Sequence, residues 1–130
     1  MTRFLRAMEA DLTGKPIPGR DATLLGVRTD GPYVDILVGI DGFVEPLSGG
    51  LSTTKDNPRA LPPNRRPKSL GGKGRHPVFA LPEVAVPVSL KATPDGGSHV
   101  LIEPETRMLI DAYETALSST RDDWELIMQD

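Results

Sequence analysis

The chain has 130 residues, no cysteine and a formal net charge of −3. That length suits one domain with its own hydrophobic core. The lack of cysteine excludes disulfides and thiolate chemistry and fits a reducing cytoplasm, and the charge excludes a globally basic nucleic-acid binder.

Thirteen glycines and thirteen prolines make up a fifth of the sequence. Both residues punctuate elements rather than fill them, so short strands and loops should dominate. No apolar run approaches membrane-spanning length. The first residues, MTRFLRAMEADL, carry acids within their apolar stretch and lack a small-residue cleavage site. They do not read as a secretory signal, although export of the folded chain would need none. The mean charge hides an asymmetry. Residues 55–76 carry Lys55, Arg59, Arg65, Arg66, Lys68, Lys73 and Arg75 against Asp56 alone. Residues 101–130 carry Glu103, Glu105, Asp111, Glu114, Asp122, Asp123, Glu125 and Asp130 against Arg107 and Arg121.

In chain order, FLRAM (4–8) reads as a strand or the start of a helix, and the alternation of Phe4, Arg6 and Met8 with Leu5 and Ala7 suits a mostly buried strand. TGKPIPGR (13–20) is a loop, because its prolines cannot donate to a ladder and its glycines favour turns. ATLLGVR (22–28) packs as a turn or short element. YVDILV (33–38) is β-branched and strand-like, Asp41-Gly42 signals a type I′ turn, and GFVEPL (42–47) should return antiparallel. GLSTT (50–54) is the next strand. Residues 55–77 lack hydrophobic periodicity and form a long loop of the kind that carries function. HPVFALP (76–82), PVSLKAT (87–93) and SHVLIEP (98–104) are strands. A helix is expected from Pro104, with Leu109, Ala112, Tyr113, Ala116 and Leu117 on one apolar stripe. A short segment over 121–128 should turn Trp124 and Ile127 or Met128 inward. The fold class is α+β: one domain, 1–130, with a mostly antiparallel sheet and a C-terminal amphipathic helix.

Most chemical motifs are missing. His76 and His99 lack carboxylates at metal-ligand spacing. GGKGR (71–75) has no strand before it or helix after it, so it reads as a flexible loop tip rather than a phosphate cradle. Ser52 lies in no nucleophile elbow. Three features remain. Arg6 lies within an apolar strand, and a buried guanidinium needs an anionic or hydrogen-bonding partner, or else it is a rim ion pair. Ser52, Thr53 and Thr54 are small hydroxyl residues beside which a flat ring can approach the backbone, or they are ordinary strand residues. Glu103, near His99, is a carboxylate on the last strong strand. Glu105 has the spacing to share its face but equally suits a helix first turn.

Arg6, the 52–54 triplet and a late-strand carboxylate occur in the order of the three-part site of ADP-ribosyltransferases. The chain more closely resembles the type VI secretion effector branch of that fold. The likeness rests on Gly49, Gly50 and Ser52, then on Pro87, Leu90 and Asp95, and then on His99, Ile102, Pro104 and Met108. It covers roughly the C-terminal two-thirds, with Leu5-Arg6 standing where the branch has Tyr-Arg. It implies an ADP-ribosyltransferase-type sheet and a toxin that binds NAD as its substrate. It further implies Arg6, Ser52, Thr53, Thr54 and His99 around the dinucleotide, with Glu103 and Ser52 as catalytic groups. A macromolecular acceptor and an immunity partner follow from the same likeness. The alternative is a non-catalytic protein on the same scaffold, acting through basic loop 55–76. A nucleic-acid contact through that loop is weaker, since aromatic platforms are absent and the net charge opposes it.

Overall fold

The computed structural model describes residues 1–129, so Asp130 lies outside the described residues. The apolar run at the N-terminus forms β1, Arg3–Ala7. It pairs antiparallel with β4, Val78–Pro82, over five residues. Its other edge meets β3, Leu51–Lys55, only at Phe4–Lys55 and Leu5–Thr54. β6, His99–Pro104, continues the sheet beyond β3, and β5, Leu90–Pro94, forms that edge. β8, Glu125–Met128, closes the opposite edge against β4. The order is β5-β6-β3-β1-β4-β8, with every pairing antiparallel.

Strand alternation divides the side chains between two faces. Phe4, Met8, Leu51, Phe79, Leu81, Val100 and Ile102 build the main core with Tyr113, Leu117 and Trp124. Leu5, Ala7, Val78 and Ala80 face the other way, where Leu61 from the long loop covers them. That loop is therefore an arm seated on the sheet. Two 3-10 turns, Pro58–Ala60 and Lys68–Leu70, break it. Gly72 and Gly74 in the 71–75 stretch are packed against backbone, while Gly71 is open to solvent. A Cβ on Gly72 would lie 2.1 Å from the Arg66 carbonyl oxygen, and one on Gly74 2.6 Å from that of Arg65.

Several expectations are corrected. YVDILV is not a ladder strand. Ile36 makes a single bridge to Gly49, while Tyr33 and Leu37 are exposed. The turn at Asp41-Gly42 is not type I′, because only Gly42 has positive φ, at 82°. The Gly42 amide donates to Gly39 O and the Gly39 amide to Phe43 O, as in a three-residue hairpin loop. Phe43–Val44 (β2) then pairs with Met108–Leu109 (β7) in a separate ribbon. Pro104 ends β6 and does not start the helix. The helix, α1, begins at Ile110 and runs to Ser118, because the Met108–Leu109 ribbon takes up the intervening chain. It buries Tyr113 and Leu117 but leaves Ala112 exposed, and Leu109, expected on the same stripe, lies exposed in β7. Glu105 thus belongs neither to the strand nor to the helix, and its amide donates to Ser89 O. Residues 125–128 are a strand, preceded by Trp124, which is fully buried.

Candidate functional site

Extending the β1–β3 register would pair Arg6 with Thr53 and Ala7 with Ser52. Neither pair forms, so the two strands part after Leu5–Thr54. The Arg6 guanidinium occupies the opening. Its Nη1 donates to Ser52 O at 2.9 Å, and Nη2 donates to Leu24 O at 2.9 Å and Ala22 O at 3.1 Å. Nε also donates to Leu24 O, at 3.3 Å. A guanidinium can satisfy many acceptors at once because its five N–H groups fan out in a fixed plane. Arg6 is therefore bonded to backbone carbonyls, not to a carboxylate. Burial pushes its pKa down to about 10, the Arg65 guanidinium pushes the same way, and Asp35 opposes both. At neutral pH the group remains charged.

A cleft of about 240 Å³ opens beside this clamp. Its walls include Arg6, Ser52, Thr53, Thr54 and His99, five residues expected from the sequence to share a site. The arm contributes Leu61, Pro62, Asn64 and Arg65. Arg28 and Asp35, which sequence reasoning missed, complete the wall. The Arg28 side chain donates to both Asp35 oxygens, from Nη2 at 2.9 Å and Nε at 3.1 Å, and the pairing holds the Arg28 pKa above its ordinary value. Asp35 reaches the cleft because its segment packs against Gly49-Gly50, with the Gly50 amide donating to Asp35 O. Gly49 has φ of 116°, and a Cβ there would sit 2.1 Å from Asp35 O. The acid inside an otherwise apolar YVDILV was the available signal for Asp35.

The hydroxyls differ in what they can offer. Thr53 faces the core, where its Oγ1 donates to Val100 O at 2.8 Å. It holds β3 to β6 and has no free proton for a ligand. Ser52 and Thr54 lie on the opposite face, across from Leu101 and His99 respectively. The His99 ring meets Asp95 through Nδ1, 3.0 Å from Oδ2. An ionised carboxylate only accepts, so that nitrogen carries the hydrogen.

Glu103 is the expected site residue that the cleft wall does not include. It is 1% exposed and accepts from the Leu47 amide at 3.2 Å, with Lys91 Nζ 3.6 Å away. Leu101 opposes Ser52, so Glu103 is a diagonal neighbour of Ser52 on the same face, roughly 7–8 Å off in an antiparallel ladder. The cleft's charged walls are Arg6, Arg28 and Arg65 against Asp35. Among the described residues no ion pair is formed by Arg65. No cluster of three or more His, Cys, Asp or Glu able to hold a metal occurs among the described residues, and no helix is long and apolar enough to cross a membrane. Comparison with known protein families, curated proteins and solved structures finds no match to this chain.

Proposed function

We propose that the cleft binds NAD and that the chain is an ADP-ribosyltransferase-like toxin domain, its sheet built on that plan. One observation carries the reading: Arg6, the Ser52–Thr54 strand and His99, far apart in sequence, line one cation-rich cleft at the parting of two strands. The excess of guanidinium over carboxylate suits a diphosphate. Ser52 and Thr54 give a hydroxyl floor for a flat ring, and Pro62 and Arg65 of the arm also line the cleft. At about 240 Å³ the cleft is smaller than typical ligand pockets of ~300–1,000 Å³, so the dinucleotide overlaps its rim. In the reaction the ribose–nicotinamide bond breaks, nicotinamide leaves with the electron pair as a neutral molecule, and positive charge develops on the ribose. Glu103, a diagonal neighbour of Ser52 on the same strand face, is the carboxylate that would offset that charge. The acceptor then bonds to the ribose carbon and releases a proton.

The position of Glu103 outside the cleft wall favours a second reading, a protein that binds the dinucleotide and does not turn it over. Incubation with NAD and detection of free nicotinamide separates the two. Transfer chemistry requires release by the unmodified protein and a fall of about 100-fold or more in Glu103→Gln, the usual scale for losing one electrostatic contact at a transition state. Calorimetric binding of NAD without release establishes the second reading, and absence of both binding and release defeats the two together.

A further inference from the structure

We propose that the arm, residues 55–75, is a docking surface for a nucleic-acid phosphate backbone at the mouth of the cleft. Net charge and missing aromatics argued against nucleic acid at the level of sequence, but the fold changes the balance. The arm carries seven cations and Asp56, a net of +6, so the rest of the chain carries −9 of the total −3. None of those seven cations forms an ion pair among the described residues. Arg20, Arg28, Lys91, Arg107 and Arg121 outside the arm all do. The acidic C-terminal region therefore does not neutralise the arm. Lys55, Arg59, Lys68, Lys73 and Arg75 are exposed.

These charges stand on an ordered support. Leu61 and Pro67 are buried. The Lys73 amide donates to Pro63 O at 2.7 Å and the Gly74 amide to Arg66 O at 2.8 Å, which folds the arm back on itself. A backbone held in this way loses little conformational freedom on docking, and the ordering cost is confined to the side chains. The surface is also selective for phosphate over acidic protein. No exposed large hydrophobic side chain lies in the arm, whereas protein interfaces depend on buried aromatic and apolar anchors. Phosphate contacts need only Arg, Lys and backbone amides. Without aromatics to stack single-stranded bases, the fit is to the backbone of a duplex, read without sequence preference. The inference does not rest on NAD turnover.

The test is fluorescence anisotropy with short labelled RNA and DNA duplexes between about 50 and 200 mM salt, where backbone binding falls steeply. The unmodified protein should bind with a negative log–log salt slope. The exposed triple variant K68Q/K73Q/R75Q should weaken binding about tenfold or more and flatten the slope by about 2 to 3. If that variant loses its native circular dichroism, K55Q/R59Q gives the same readout with a proportionately smaller change. Salt-independent binding, no binding, or an unchanged slope in a folded variant overturns the proposal. So does polyglutamate competing as well as duplex at equal charge, which would make the arm an acidic-protein surface.

Discussion

Arg6 Nη1 donates to the Ser52 carbonyl at 2.9 Å across 46 residues of sequence, in the gap where the β1–β3 ladder stops. The side chain substitutes for missing backbone pairing and at the same time forms a wall of the cleft. Support and site are one group here. That has a consequence for any loss-of-function experiment at this position.

Arg6→Lys keeps the charge but cannot reach the carbonyls of Ser52, Ala22 and Leu24 together, because an ammonium lacks the planar fork. Hydrogen bonds to charged groups contribute about 1.5–3 kcal/mol each and are not additive, so a net loss of about 3 kcal/mol is expected for Lys and more for Ala. Urea denaturation reads this directly. A Lys variant as stable as the original protein means that the clamp holds nothing. A drop in NAD binding in Arg6→Ala must be interpreted against this loss of folding.

Gly49 and Gly50 give a sharper test of how the cleft is assembled. A Cβ on Gly50 would stand 2.6 Å from Ile102 O, and one on Gly49 2.1 Å from Asp35 O, where φ is also 116°. Backbone atoms cannot yield as a flexible side chain does. Each Gly→Ala change should cost about 2 kcal/mol or more through the displaced contact and, at Gly49, backbone strain. Gly49→Ala should also move Asp35 and with it Arg28. Thermal denaturation gives the first effect, and a changed pH or salt response of ligand binding gives the second. Tolerance of alanine at both sites would mean that this packing is looser than the distances require.

Tyr113 links α1 to the sheet. Its hydroxyl donates to Ile102 O at 2.6 Å and accepts from the Leu51 amide at 3.1 Å. Burial raises its pKa above the ordinary 10.0, so the unfolded chain ionises first. A raised folded-state pKa gives stability that is complete below the unfolded value and lost as pH climbs through the folded one. Stability should therefore decline from about pH 10 upward. Tyr113→Phe should lower stability at neutral pH by about 1–3 kcal/mol, since the Leu51 amide is left unpaired, and flatten that alkaline decline. Denaturant midpoints from pH 8 to 11 in both proteins check the sign.

The sheet was legible where short apolar runs are bounded by turn residues, whether one face is buried or both. FLRAM, GLSTT, HPVFALP and SHVLIEP became β1, β3, β4 and β6, since strand period and tertiary role agree there. YVDILV misled because β-branched residues favour extended backbone whether or not a partner strand is present, and only Ile36 finds a bridge. The helix start was misplaced because Pro104 fits a helix first turn and a strand end equally well, and only the β2–β7 pairing decides. Arg6, Ser52–Thr54 and His99, which the resemblance implied together, do line one cleft. Arg28 and Asp35 were not foreseen, because their pairing depends on loop packing that no local pattern encodes. Glu103 was read as facing the ligand, yet a strand pattern fixes its face and not the extent of the cleft along that face.

Leu61 and Arg65 separate the arm's two duties. Leu61 is 4% exposed and packs with Leu5, Ala7, Val78 and Ala80, so it seats the arm on the sheet. Arg65 lines the cleft, its guanidinium unpaired among the described residues, and its charge lowers the Arg6 pKa. Leu61→Ala should cost about 2–5 kcal/mol or, if the arm detaches alone, raise amide exchange over 58–74 with little change in the global midpoint. Arg65→Ala should leave stability within about 0.5 kcal/mol, because no partner is lost, or raise it slightly by relieving Arg6. An anionic ligand in the cleft should nevertheless bind about tenfold more weakly to it. Titration of NAD and of inorganic pyrophosphate into the Arg65→Ala protein measures this. If both bind as they do to the unmodified protein, the arm's guanidinium takes no part in recognition, and the anion, if one binds, is held from the Arg28 side alone.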